Sequence, residues 1–368
     1  MLTACTGQAQ QPATEEPADV VAADTLVETV APEPEVELVA DSVSTAVARF
    51  YAGVSMDGVK VGADLANQWR NYSSELKSSV DHSYATLHLV DSMARVDMSD
   101  IRQKADYVFY PFSGPDFLYP ITLFPDADTY FLMGLEGAGS PLTSIDRSRF
   151  NAYRKALRVY LRSSYFITKE MKQDLRNDDI DGTLPIITML MAIDDCQIIS
   201  TRFKALTDEG EMVDSPKASA LVEVRFFRTG SHHEQTLYYY STNLHDSSFE
   251  SRLKLYLDKT LSQHQVVSYL KAASYLMHEK HFNTIREYIL RYSFAFLQDD
   301  SGMPYHYVNQ GWDITLYGKY IHPKDCFDKN DYQPDLDSLY ARDPNVHQLP
   351  IFIGYNKPSN WMLSRKKQ

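Results

Sequence analysis

Along this chain, segments whose apolar residues recur at a helical period are mixed with short apolar runs bounded by Gly, Pro and Asp, without strict alternation. Leu65–Leu89 sets Trp69, Leu76 and Leu87 among polar residues and predicts a helix. Tyr107–Tyr110 predicts a buried strand, closed by Pro111 and a Ser113-Gly114-Pro115-Asp116 turn. Asp116 is placed to cap a short helix running to Phe124, and Thr129–Leu135 follows as a strand, which makes a βαβ-like unit. Helices are predicted over Arg147–Phe166, Thr168–Leu175 and Leu184–Ile193. Three strand-like runs, Gln197–Lys204, Ala218–Phe227 and Gln235–Tyr240, then predict an antiparallel meander, with Ala220, Val222 and Val224 on one face. Further on, the period predicts helices over Phe249–Leu257, Gln263–His278 and Phe282–Leu297. The last carries a stripe of Phe282, Ile285, Ile289, Tyr292 and Phe296. Strands at Tyr305–Val308 and Ile314–Tyr317, a helix near Leu336–Ala341 and a strand at Leu349–Tyr355 complete the pattern. The expected class is α+β: a mixed, largely antiparallel sheet packed with several helices.

The first 44 residues follow neither period. Thr6–Ser44 is rich in Ala, Pro, Glu, Val and Thr and holds no aromatic residue, so it cannot bury enough surface to offset its ordering entropy. It reads as a disordered tether, preceding a folded domain over 45–368 that is either single or divided into two subdomains near 195–215. Charge sharpens this division. Nine acidic residues and no Lys or Arg lie between Thr6 and Ala48, leaving −4 of the total −13 for the rest. That balance excludes a general affinity for nucleic acid. Met1-Leu2-Thr3-Ala4-Cys5 resembles the lipobox of bacterial lipoproteins, which implies cleavage before Cys5 and acylation of its thiol and new amino group. The longest apolar run, Leu184–Ile193, is too short to cross a bilayer, which takes about 20 residues, so attachment to a membrane would come through lipid on Cys5.

Candidate chemistry gathers in the second half. On the predicted helix, Lys271, Ser274 or Tyr275, and His278 share one face, and the Asp299-Asp300 turn closes a neighbouring helix that could fold back beside it. With Asp116 as a pocket acid, the candidate pocket is Asp116, Lys271, Ser274, His278, Asp299 and Asp300. The bland reading of the same residues is a polar helix face and two turns bonding their own backbone. Ser113 is no nucleophile elbow, since Pro111 and Pro115 stand where glycines are required. No metal is expected: His278 and His281 lie three apart where zinc helices use four, and the calcium-like Asn177–Gly182 loop has Thr188 in place of its closing Glu. No cofactor is expected either, because Gly134–Gly139 lacks both the phosphate-loop Lys and the dinucleotide spacing. Cys196 and Cys326 either pair in an oxidising compartment or stay as buried thiols. The 25 Tyr against 3 Trp suit either recognition of protein or carbohydrate, or half-buried sheet positions.

Tyr110–Leu118, Leu132–Glu136, Lys271–His278 and Gln298–Tyr305 resemble a family of uncharacterised bacterial envelope lipoproteins. The resemblance implies one continuous module from about Phe50 onward, and it brings no activity, substrate or site residue with it. Two functions are therefore expected as alternatives. One is a lipid-anchored binding or assembly component of the outer membrane, with an envelope protein or polymer as partner. The other is a hydrolase of envelope polymer or protein that uses the carboxylate and His pocket.

Overall fold

A computed structural model describes residues 38–164, 180–271, 274–321, 331–352 and 359–367. Cys5, Cys326 and the helix expected at Thr168–Leu175 lie outside them. The described fold begins where the tether was expected to run on. Asp41 accepts hydrogen bonds from the amides of Val43 and Ser44, both 3.1 Å, and so caps α1 (Ser42–Tyr51). Its own amide donates to the carbonyl of Ile198 at 2.7 Å, so Asp41 to Ser44 belong to the folded part. The long helix α2 (Ala63–Asp97) buries Trp69, Tyr72, Leu76, Ser79, Ser83, Leu87, Val90 and Ala94, one stripe at three- and four-residue steps.

Among the described residues, ten strands then form a single sheet. In chain order, α3 (Ser99–Lys104) leads into β1 (Tyr107–Tyr110), α4 (Leu118–Leu123), β2 (Thr129–Gly134), α5 (Phe150–Ser163) and α6 (Leu184–Ile193). Next come β3 (Cys196–Leu206), β4 (Met212–Asp214), β5 (Leu221–Arg228) and β6 (Gln235–Ser241). The rest are α7 (Ser251–Leu261), β7 (Val266–Leu270), α8 (Asn283–Tyr292), β8 (Ser293–Gln298), β9 (Trp312–Gly318), α9 (Pro334–Arg342) and β10 (Asn360–Lys366). The order across the sheet is β4-β3-β5-β6-β2-β1-β7-β8-β10-β9. Five of the nine neighbouring pairs are antiparallel and four are parallel, and the parallel ones are contiguous at the centre, from β6 to β8. The class is α+β, as the pattern predicts, and the βαβ unit and the antiparallel meander are both present.

Side chains of the central strands alternate between two cores. Val108, Tyr110, Leu132, Val267 and Tyr269 face α1, α2, α4, α5 and α6, whereas Tyr107, Phe109, Phe131, Val266 and Leu270 face α7, α8 and α9. The sheet is thus covered on both faces, which is what a parallel centre needs. One unit runs from Glu37 to Gln368, with no division near 195–215, because β3 lies within the continuous sheet.

Four predicted elements differ. Gln263–His278 is not a helix: Val266–Leu270 is β7, and a 3-10 turn follows at Ser274–His278. Phe282–Leu297 is a helix only to Tyr292 and then becomes β8. Both strands are buried on their two faces, so they show no alternation to set them apart from a buried helix. Tyr305–Tyr307 is a single 3-10 turn, held by the Tyr307 amide donating to Pro304 at 3.0 Å. The last strand is β10, not Leu349–Tyr355, of which residues 349–352 are not strand and 353–355 lie outside the described residues.

Candidate functional site

The parallel strands all end along one edge, and the strongest polar cluster sits there. From β1 the chain leaves over one face of the sheet, through α4, and from its neighbour β7 it leaves over the other, through α8. Adjacent parallel strands whose connections part in this way leave a crevice outside their carboxyl ends, the usual ligand position in open α/β sheets. Lys271 directly follows β7, and Asp116 lies in the turn that follows β1. That turn is bent back by positive φ at Phe112 and Gly114, and the Ser113 amide donates to the carbonyl of Met133 at 2.8 Å.

Lys271 Nζ is 2.5 Å from Asp116 Oδ2, with the two side chains 1% and 3% exposed. The contact is a buried ion pair. The ammonium also lies 3.4 Å from the centre of the Tyr119 ring. Asp116 is better served: Tyr110 Oη donates to Oδ2 at 2.8 Å and Tyr160 Oη donates to Oδ1. Burial pushes the Lys271 ammonium below the ordinary lysine range, and the Asp116 carboxylate opposes that. The Tyr269 ring is 4.9 Å from that of Tyr110, and its buried hydroxyl has no hydrogen-bond partner among the described residues. Lys271, Tyr110 and Tyr160 thus converge on one buried carboxylate, with the Tyr119 and Tyr269 rings packed beside it.

A second group lies along the same edge. Tyr275 Oη donates to Asp300 Oδ2 at 2.6 Å, and the Tyr275 and His278 rings are 5.3 Å apart. His278 Nδ1 is 3.7 Å from Asp331 Oδ1, while its Nε2 is buried without a partner. Burial pushes the His278 imidazole down to about 4, against the pull of the Asp300 and Gly302 backbones, so the ring is neutral at pH 7. Arg286 fixes the loop that carries it, donating to the carbonyls of Met277 and Glu279. Asp299 closes its own turn, accepting from the Ser301 amide at 3.0 Å and from the Ser301 hydroxyl.

The sequence-predicted residues thus share one edge but form two groups, Asp116 with Lys271 and His278 with Asp300, while Asp299 caps a turn between them. Lys271 and His278 do not lie on a common helix face, because strand and 3-10 turn replace the helix. Ser274 is in that 3-10 turn, and its side chain is outside the described part. The Ser113 hydroxyl donates to the carbonyls of Gly114 and Met133, which leaves it no base. Pattern reading missed Tyr110, Tyr119, Tyr160 and Tyr269, and the surplus of Tyr was the one signal for them. Among the described residues no group of three His, Cys, Asp or Glu side chains could hold a metal ion, and no helix is long and apolar enough to cross a membrane. Cys196 is a buried free thiol. No family model, curated protein or solved structure matches this chain.

Proposed function

We propose that this chain is a lipid-anchored component of the bacterial outer membrane whose folded domain binds an envelope protein or polymer at the carboxyl edge of its parallel strands. The anchor rests on the lipobox-like Met1–Cys5 and the acidic segment after it. The binding site rests on one observation: the buried Lys271–Asp116 pair, with Tyr110, Tyr119, Tyr160 and Tyr269 about it, sits where β1 and β7 part. The parting of parallel strands is where open sheets of this kind usually take their ligands.

The contact of Lys271 with Asp116 favours a second reading, a hydrolase of envelope polymer. A His278 ring whose proton affinity burial has lowered, so that it is a weak base, and an unactivated Ser113 hydroxyl weigh against it. One experiment separates the two. Wild type and Cys5→Ala are fractionated from a native host, and the purified domain is incubated with isolated envelope polymer. Membrane attachment that is lost in Cys5→Ala, with polymer retained and not cleaved, is the expected result. Soluble polymer fragments released by wild type but not by Lys271→Met would replace binding with hydrolysis. Sedimentation of Cys5→Ala with membranes in high salt would remove the anchor.

A further inference from the structure

At the opposite edge, where the parallel strands begin, lies a cleft of about 420 Å³ that the carboxyl-edge site does not involve. Its size falls within the roughly 300–1,000 Å³ typical of small-molecule sites. One wall lines it with two guanidinium groups and one carboxylate, the other with two carboxylates and one guanidinium group. On the helical wall, Arg95 Nε and Arg102 Nη1 share the single carboxylate of Asp91, at 2.7 and 2.9 Å, so two guanidinium groups face one acid. Arg102 is 9% exposed and is held in place, whereas Arg95 is 70% exposed, lines the cleft and bonds Asp91 through Nε.

The other wall is the corner between α6 and β3. Asp194 and Asp195 line it beside Arg228, whose Nε and Nη2 both grip Asp194 Oδ2, at 2.8 and 2.7 Å. Arg49 takes Asp195 Oδ1 from outside the cleft. The carboxyl end of α6 adds its partial negative charge to this corner. Asp195 also has a φ of +57°, just past the helix end, where glycine is the usual residue. A carboxylate is kept at the cleft against that backbone preference, and such outliers gather at ligand sites.

We propose that this cleft binds a short peptide with free ends, its carboxylate against Arg95 and Arg102 and its ammonium against Asp195 and the carboxyl end of α6. A dipeptide suits the volume, and a zwitterion is the ligand class that answers both walls at once. The proposal is independent of the carboxyl-edge reading.

The test is calorimetric titration of the purified folded chain with L-alanyl-L-alanine, its N-acetyl derivative and its carboxamide. Arg95→Gln and Asp195→Asn are titrated in parallel. Asn tolerates the left-handed backbone, and the Arg95 side chain is mostly in solvent, so both variants should melt with wild type. Saturable binding of the dipeptide is expected, weakened at least tenfold by either cap and by either substitution. No saturable binding by wild type would overturn the proposal. So would equal binding of the N-acetyl derivative, which makes the cleft a simple anion site. If a variant melts early, the capped ligands on wild type decide alone.

Discussion

Lys271 and Asp116 touch, yet they do not depend on each other equally. Asp116 keeps the hydroxyls of Tyr110 and Tyr160 when the lysine is removed, whereas Lys271 keeps no carboxylate in contact, only the faces of Tyr119 and Tyr160, when Asp116 is neutralised. Asp116→Asn should therefore cost about 3–5 kcal/mol, as an uncompensated buried charge does, and Lys271→Met clearly less. Urea denaturation of the two variants and the double variant measures this, and equal costs would mean that the tyrosines do not hold the carboxylate. His278 gives a pH signature. Above its unfolded value of 6.5 the ring is neutral in both states, and the fold pays no penalty. As pH falls from 6.5 towards 4, the unfolded chain takes up a proton that the folded chain refuses, so stability declines across that window by at most about 3 kcal/mol. His278→Gln should show a shallower loss than wild type over the same range, and parallel curves would contradict the burial of the ring. The chemistry of these residues was legible as types in sequence. The tyrosines that hold Asp116 were not, since Tyr160 comes from a helix 44 positions away.

Element by element, strong periodicity was legible and doubly buried strands were not. The stripe Phe282, Ile285, Ile289 and Phe296 does pack into one core, but it spans α8 and β8. Val266–Leu270 is buried at all five positions and so offers no alternation to read. The error mattered, because it placed Lys271 on a helix face instead of at a strand end. The caps carry two measurable expectations. Asp299→Ala should cost about 0.5–2 kcal/mol by opening the turn it closes onto Ser301, whereas Asp300→Asn, which can still accept from Tyr275, should melt close to wild type. Equal melting of the two would mean that the turn is held elsewhere. At the other end, deleting Thr6–Val36 should leave the melting temperature unchanged, while Asp41→Ala should cost about 0.5–2 kcal/mol. That cap also gives acid sensitivity. The Ser44 hydroxyl and amide hold the Asp41 carboxyl below the ordinary range, so its stabilisation is present above the unfolded value and fades as pH falls through the folded one.

For the whole molecule, composition divided the tether-like segment from the folded part, but the division falls nearer Asp41 than Ser44 because one side chain of the acidic series became a helix cap. The class was legible from the mixture of periods; the parallel centre was not, since partners such as Tyr107 and Val266 lie far apart in the chain. A further consequence follows from where β10 sits. The tenth strand in chain order occupies an interior place, hydrogen-bonded to β8 on one side and β9 on the other. A chain emerging amino end first exposes β8 and β9 with a strand-wide gap between them, and nothing made earlier can fill it. Folding therefore cannot run to completion in step with emergence. Until residues 360–366 arrive, two bare strand edges remain open to any neighbouring chain, the condition in which unfinished sheets aggregate and for which holding chaperones exist.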